Sequence, residues 1–167
     1  MKNTQRLVIS AFLIALSMLI PVALRPIAIQ MPPFTATLAS HVPLMIAIYL
    51  DPKIAIAVSF GSMFGFFIAY PGMLVVPARA IAHVMFAIPA SYMIKHKVNI
   101  VLTILVSGII HAVFEMLVIL IPMFYPTEVG LPQALTVMGV GTFIHHFVDV
   151  AIAISIIKIL KQCKFVK

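Results

Sequence analysis

The chain has 167 residues, of which 63% are hydrophobic and only 9% charged, with a mean hydropathy of +1.21. That excess excludes an ordinary soluble domain and points to an all-α integral membrane protein forming one domain, with room for about six spans of roughly 20 residues and no extramembrane part. A formal charge of +7 raises nucleic acid as a partner, but the lysines fall in loops and at the ends, as orientation signals do, and nucleic acid is set aside.

The first apolar run, Leu7 to Leu24, follows Lys2 and Arg6. It is longer than a signal-peptide core and reaches Pro21 and Arg25 without a small-residue cleavage site, so it counts as the first span. Within it Ala11 and Ala15, with Ser10 and Ser17 nearby, form a strip where another helix can approach closely, from this chain or from a partner. From Arg25 to Thr37, Pro26, Pro32 and Pro33 break the helix. This partly apolar segment suits an extended flap over the bundle mouth, or an interfacial connector. A short second helix, about Leu38 to Leu50, contains His41 and Pro43 and stops at Asp51 and Pro52. The third, about Ile54 to Tyr70, carries Gly61 and Gly65 at the close-packing spacing, which seats a neighbouring helix more readily than a ligand.

The fourth helix, Leu74 to Ile94, holds Pro77, Arg79 and His83. Arginine at the centre of a bilayer costs roughly 2.5–3.5 kcal/mol on insertion scales, so Arg79 should face a polar cavity, a counter-ion or a ligand. Arg79 and His83 stand four apart and share a face, so one pocket can hold a planar guanidinium one turn from an imidazole. The alternatives are snorkelling to the outer interface and an internal pair with Glu115. In the fifth helix, Asn99 to Phe124, His111 and Glu115 repeat the four-residue spacing. A turn over Tyr125, Pro126, Thr127, Glu128, Val129 and Gly130 leads to the sixth helix, Pro132 to Leu160, with His145, His146 and Asp149. His145 and Asp149 share a face while His146 points about 100° away, so only one of the two histidines is expected at a single site. Asp149, the innermost, is expected to orient His145 or bond a neighbouring helix.

Across six spans, Lys2, Arg6, Lys53, Lys95, Lys97, Lys158, Lys161, Lys164 and Lys167 fall on one side and only Arg25 in a loop on the other. Both termini are therefore expected to be cytoplasmic, in a multi-pass cell-membrane protein. The polar groups then converge on the outer half. Cys163 is the only cysteine, so no internal disulfide forms. No phosphate-binding Gly-rich loop ending in Lys-Ser or Lys-Thr occurs, the chain is short for a complete secondary transporter, and no internal repeat is evident. A small-molecule binder that depends on a partner for energy follows, with no enzyme activity and no cofactor expected.

With about six short helices, both ends inside, a flap after the first helix, and the run Ala11-Phe12-Leu13-Ile14-Ala15, the whole chain resembles the substrate-binding S component of an energy-coupling factor (ECF) vitamin transporter. The run of alanines is similar to that family's first-helix motif for docking to the transmembrane T component. The stretch from Phe34 to Met45, followed by Arg79, Ala80, Ile81, Ala82 and His83, is similar to the niacin-type branch. The resemblance implies a vitamin held by the flap and the outer halves of the later helices, and two ATPase subunits and a T component as partners. The cobalt and nickel branches use an N-terminal Met-His, from which Lys2 departs. On residue chemistry, a bidentate Arg79 contact suits nicotinate, a planar ring with a carboxylate, and equally suits other small anions. The candidate binding residues are Arg79, His83, Glu115, His111, His145, His41 and Phe34, with Tyr70 and Phe114 as further candidates for ring stacking. A rival reading places a metal on His83, His111, His145 and Glu115. Against it, no His-Glu-x-x-His helix occurs and the charge of Arg79 would oppose the ion, so no metal is expected. A scaffold subunit of a larger complex is the third possibility.

Overall fold

The computed structural model describes residues 3–125 and 129–163. Lys2, Lys164 and Lys167 of the orientation count, and Pro126, Thr127 and Glu128 of the long turn, lie outside the described residues. The helices are α1 (Asn3–Ala23), α2 (Val42–Leu50), α3 (Pro52–Ala69), α4 (Val75–Ala82), α5 (Val84–Lys95), α6 (Ile100–Ile119) and α7 (Leu131–Gln162). Among the described residues five stretches are long and apolar enough to cross a membrane: α1, α3, α4 with α5 taken together, α6 and α7. With no water in the bilayer to satisfy backbone groups, a helical bundle of this kind is one of the few structures able to span it.

The seam between α1 and α3 depends on two glycines. A Cβ at Gly65 would lie 2.6 Å from the backbone of Met18, and one at Gly61 would lie 2.6 Å from Ser17 Oγ. Any side chain there would push the helices apart, so Gly61 and Gly65 seat a neighbouring helix as expected. Ser17 belongs to this seam, donating to Ile14 O at 2.8 Å and lying 3.2 Å from Val58 O. Ala11 and Ala15 sit on the opposite, exposed side of α1 with Phe12 and Leu19. The small-residue strip is thus split: Ser17 packs inside the chain, and the two alanines do not.

Four sequence expectations change. The second helix begins at Val42, not Leu38, because residues 38–41 form a turn with Ala39 at φ +64°. The Asp149 carboxylate accepts from the amides of Ala39 and His41, each at 2.9 Å, and holds that turn. The all-α expectation omits a two-stranded antiparallel hairpin, β1 (Ile29–Met31) with β2 (Phe34–Ala36), in which Gln30 faces Thr35. The fourth predicted helix is interrupted at His83, whose amide bonds Ala80 O at 3.3 Å in a tightened turn. The fifth stops at Ile119, because Pro122, which lacks an N–H, opens a short 3₁₀ turn over Pro122–Phe124.

α2 is the hub. Its residues from Val42 to Ile48 are all buried, and it packs against α1, α3, α5 and α7. An all-apolar circumference is what a fully surrounded helix requires. At nine residues it rises only about 13.5 Å at 1.5 Å per residue, under half the bilayer core. The return of the chain is completed by the preceding extended segment. Arg6, at the start of α1, bonds Asp51, which follows α2, so the stretch from the hairpin through Leu50 runs back to the end where the chain began. Asp51 also accepts from Lys53 N at 2.8 Å as the N-cap of α3. Partial burial alone would raise its carboxyl, but the Lys53 amide and Arg6 outweigh it and hold the group below its usual range.

Candidate functional site

At the hairpin end of the bundle, side chains from β2, the turn at residues 38–41, α4, α6 and α7 converge. Arg79 and Glu115 form the centre. Arg79 Nη2 donates to Glu115 Oε2 at 2.8 Å, and both side chains are about 5% exposed. The remaining guanidinium contacts go to the hairpin: Nη1 to Thr35 Oγ1 at 3.2 Å and Pro33 O at 3.3 Å, and Nη2 to Thr35 O at 3.3 Å. Arg79 Nε is buried without a hydrogen-bond partner. Phe34 lies beneath the same guanidinium, 5.9 Å from its carbon to the ring centroid. It enters the bundle because α7 has Gly141 there; a Cβ would meet the ring at 2.9 Å.

The two oxygens of Glu115 have different neighbours. Oε2 takes Arg79 and the Thr142 hydroxyl, the latter at 2.6 Å. Oε1 faces imidazoles: His83 Nε2 at 3.3 Å and His111 Nε2 at 3.5 Å. The second is a close approach without a hydrogen bond, and His111 Nε2 is left without one. His41 joins from the α2 N-terminus. Its Nδ1 meets Asp149 Oδ2 at 3.0 Å and its Nε2 lies 3.3 Å from His83 Nε2. His145 Nε2 lies 3.4 Å from both Asp149 Oδ2 and Ser40 Oγ. On the far side, His111 Nδ1 meets His146 Nδ1 at 3.1 Å, and His146 Nε2 meets Ser107 Oγ at 3.1 Å. Buried charges are tolerable in a bilayer only when paired and hydrogen-bonded in this manner.

All seven candidate binding residues therefore belong to one connected cluster. The cavity they leave is lined by Thr35, Ser40, His41, Arg79, His83, Glu115 and His145 among others, and measures only about 20 Å³, room for about one water molecule. Phe66 also lines it. Tyr70 does not; it is buried beside Phe66 under the Arg25 guanidinium, and its hydroxyl lacks a partner. Phe114 is half-buried away from the cavity. Thr35, in the hairpin, carries no helical spacing signal, whereas Thr142 stands four residues before His146 and seven before Asp149 on the buried face of α7 but is assigned no role from the sequence. The sequence also underweighted His146 and Asp149. His145 and His146 both take part because the cluster is long enough to meet α7 on two faces, and Asp149 anchors the turn that presents His41.

The chain is 30% identical over 176 aligned residues to the niacin transporter NiaX of Lactococcus lactis subsp. cremoris (strain MG1363), an alignment that covers 96% of this chain and 76% of the relative. No protein-family model and no solved structure matches it.

Proposed function

The chain belongs to the S-component family of ECF vitamin transporters, with that niacin transporter as a relative, and we propose that it captures nicotinate at the outer face of a prokaryotic plasma membrane. In this reading the six crossings are the five long helices plus the segment formed by the hairpin, the turn and α2. An even number puts both termini on the lysine-rich, cytoplasmic side, with the hairpin outside.

The observation that carries the reading is a buried arginine held by a flap. Arg79 is 4% exposed, and three of its four hydrogen bonds go to Pro33 and Thr35 in the hairpin. If the hairpin lifts, those donor positions and the unpartnered Nε become free for a carboxylate. A guanidinium offers two parallel hydrogen bonds to such a group, and Phe34 and Phe66 stand nearby to cover the ring. The cavity of about 20 Å³ is too small for a pyridine ring, so capture requires the hairpin to move. Histidines 41, 83 and 145 supply polar contacts along one wall.

Energy for uptake comes in this proposal from a T component and two ATPase subunits, to which α1 docks through exposed Ala11 and Ala15. Replacing both with leucine should leave nicotinate binding by the purified protein unchanged and abolish uptake by cells, because only helix-to-partner approach is obstructed. Loss of binding in detergent would place the strip in the fold instead. The direct test of the function is equilibrium binding of radiolabelled nicotinate to the purified full chain, competed by other vitamins. Saturable binding displaced by nicotinate alone supports the proposal. Displacement by a different vitamin would reassign the substrate, and no vitamin binding would favour a scaffold role.

A further inference from the structure

The histidine cluster has a tautomer arrangement that turns imidazole lone pairs toward a carboxylate. The Asp149 carboxylate can only accept, so His41 Nδ1 carries the proton on their 3.0 Å contact and neutral His41 presents a bare Nε2 to His83. Ser107 has one hydroxyl proton and two neighbours for it, Ile104 O and His146 Nε2, each at 3.1 Å; given to Ile104 O, it leaves Ser107 accepting from His146 Nε2. Neutral His146 then has a bare Nδ1, His111 Nδ1 donates to it, and His111 Nε2 is bare as well. That lone pair faces Glu115 Oε1 at 3.5 Å with no hydrogen-bond partner. In that arrangement two imidazole lone pairs and a carboxylate oxygen meet at one buried point, with His83 as the donor among them.

We propose that His41, His83, His111 and Glu115 bind a single divalent transition-metal ion, with zinc the best match. Half of the contacts already have the required dimensions. Zinc–nitrogen and zinc–oxygen bonds of about 2.0–2.2 Å in a tetrahedron place neighbouring ligand atoms about 3.3–3.5 Å apart. Three of the six edges of such a tetrahedron are of that length, 3.3 Å for His41 to His83, 3.3 Å for His83 to Glu115 and 3.5 Å for His111 to Glu115, while His41 has to move toward Glu115 for the site to close on an ion. One nitrogen from each of the three histidines lies within 4.8 Å of the others, and all three residues are buried. The neighbouring cavity of about 20 Å³ admits an ion or a water rather than a ring.

Two of the three histidines have outer partners that fit the same assignment, and His83 Nδ1 is buried without one. Ligating histidines characteristically give their other ring N–H to a carboxylate or a polar group, which fixes orientation and tautomer. Asp149 does this for His41, and the His146 and Ser107 relay does it for His111. Glu115 is fixed through its second oxygen by Arg79 and Thr142, which leaves Oε1 turned toward the imidazoles. The objection that Arg79 would repel a cation is weakened because Glu115 stands between Arg79 and the imidazoles.

Charge balance links the ion to anion capture, and this link rests on the nicotinate reading above. With neutral imidazoles the buried cluster has one cation, Arg79, against two carboxylates, Glu115 and Asp149. Adding a monoanion would deepen that excess. Adding a divalent cation first makes the cluster net positive, and a monoanion then neutralises it.

The test uses the purified full chain in detergent, stripped by a chelator and titrated with Zn²⁺ or Co²⁺. The expected result is one ion per chain and the intense visible absorption of four-coordinate Co²⁺. Asp149→Asn should weaken affinity about 10–100-fold, as losing an outer partner does, and His111→Ala should weaken it further. If the alanine variant fails to fold, the stripped and reloaded wild type still decides the matter. Absence of stoichiometric binding, or only the weak spectrum of six-coordinate Co²⁺, overturns the site. Nicotinate binding is measured on the same stripped and reloaded samples. Undiminished binding to stripped protein overturns the metal link while the vitamin reading stands; a loaded site that binds no nicotinate preserves the metal site and removes the vitamin reading.

Discussion

Between α2, α5, α6 and α7, near Lys158 and Lys161, lies a groove of about 430 Å³ walled largely by isoleucine, alanine and valine side chains. At the hairpin end, where α4, α6 and α7 meet the turn at residues 38–41, the cavity measures about 20 Å³ and is walled by Arg79, Glu115, histidines and hydroxyls. α6 and α7 contribute to both. The difference follows from what each kind of side chain demands. An aliphatic wall needs only contact, which lipid or another chain can supply as well as a neighbouring helix. A buried polar group needs a partner at a fixed distance and angle, and each such requirement draws another element inward. Asp149 brings the chain back to present His41, and Arg79 fastens the hairpin over the bundle.

The largest break in that contrast comes from Glu115→Ala. It leaves Arg79 buried against backbone and hydroxyl dipoles alone, and removing one member of a buried ion pair costs about 3–5 kcal/mol. Chemical denaturation of the purified protein in detergent should show a loss of that order. A variant as stable as wild type would mean that the hairpin end is wet enough to screen the pair. A smaller effect is expected at the other end. Val150 is buried in the apolar core and lines the groove, so Val150→Ala should cost about 1–2 kcal/mol, between the typical Ile→Val and Leu→Ala values. Its nicotinate affinity should match wild type, because no polar contact changes. A large drop in affinity would show that the two ends are coupled.

The legibility of the sequence divides along the same line. Helical stretches, the glycine seat at Gly61 and Gly65, and the pairs Arg79 with His83 and His111 with Glu115 follow from hydropathy and from a four-residue repeat, which act along the chain. What could not be read depends on contacts across it. The turn ahead of α2 is fixed by Asp149, 110 residues from Ala39, and no local pattern marks it. The hairpin carries three prolines nearby and an exposed β1, and its ordering rests on Arg79. Helix geometry admits only one of His145 and His146 to a point-like site, whereas the cluster extends from Ser40 to Ser107 and meets α7 on two faces.

Arg79 stands at the centre of the polar end, and two roles compete for it: holding a substrate carboxylate, or serving only as the counter-ion of Glu115. Truncating a buried charged contact typically costs about 2–5 kcal/mol, so a simple loss of binding in Arg79→Ala fits either role. The ratio of affinities for nicotinate and its neutral amide separates them, measured in wild type, Arg79→Ala and Arg79→Lys alongside melting temperature. A carboxylate contact requires wild type to prefer the acid, Arg79→Ala to lose most of that preference, and Arg79→Lys, which keeps the charge but not the planar fork, to fall between them. If melting temperature drops in both variants while the acid-to-amide ratio stays at its wild-type value, Arg79 is a structural partner of Glu115 and the carboxylate site lies elsewhere.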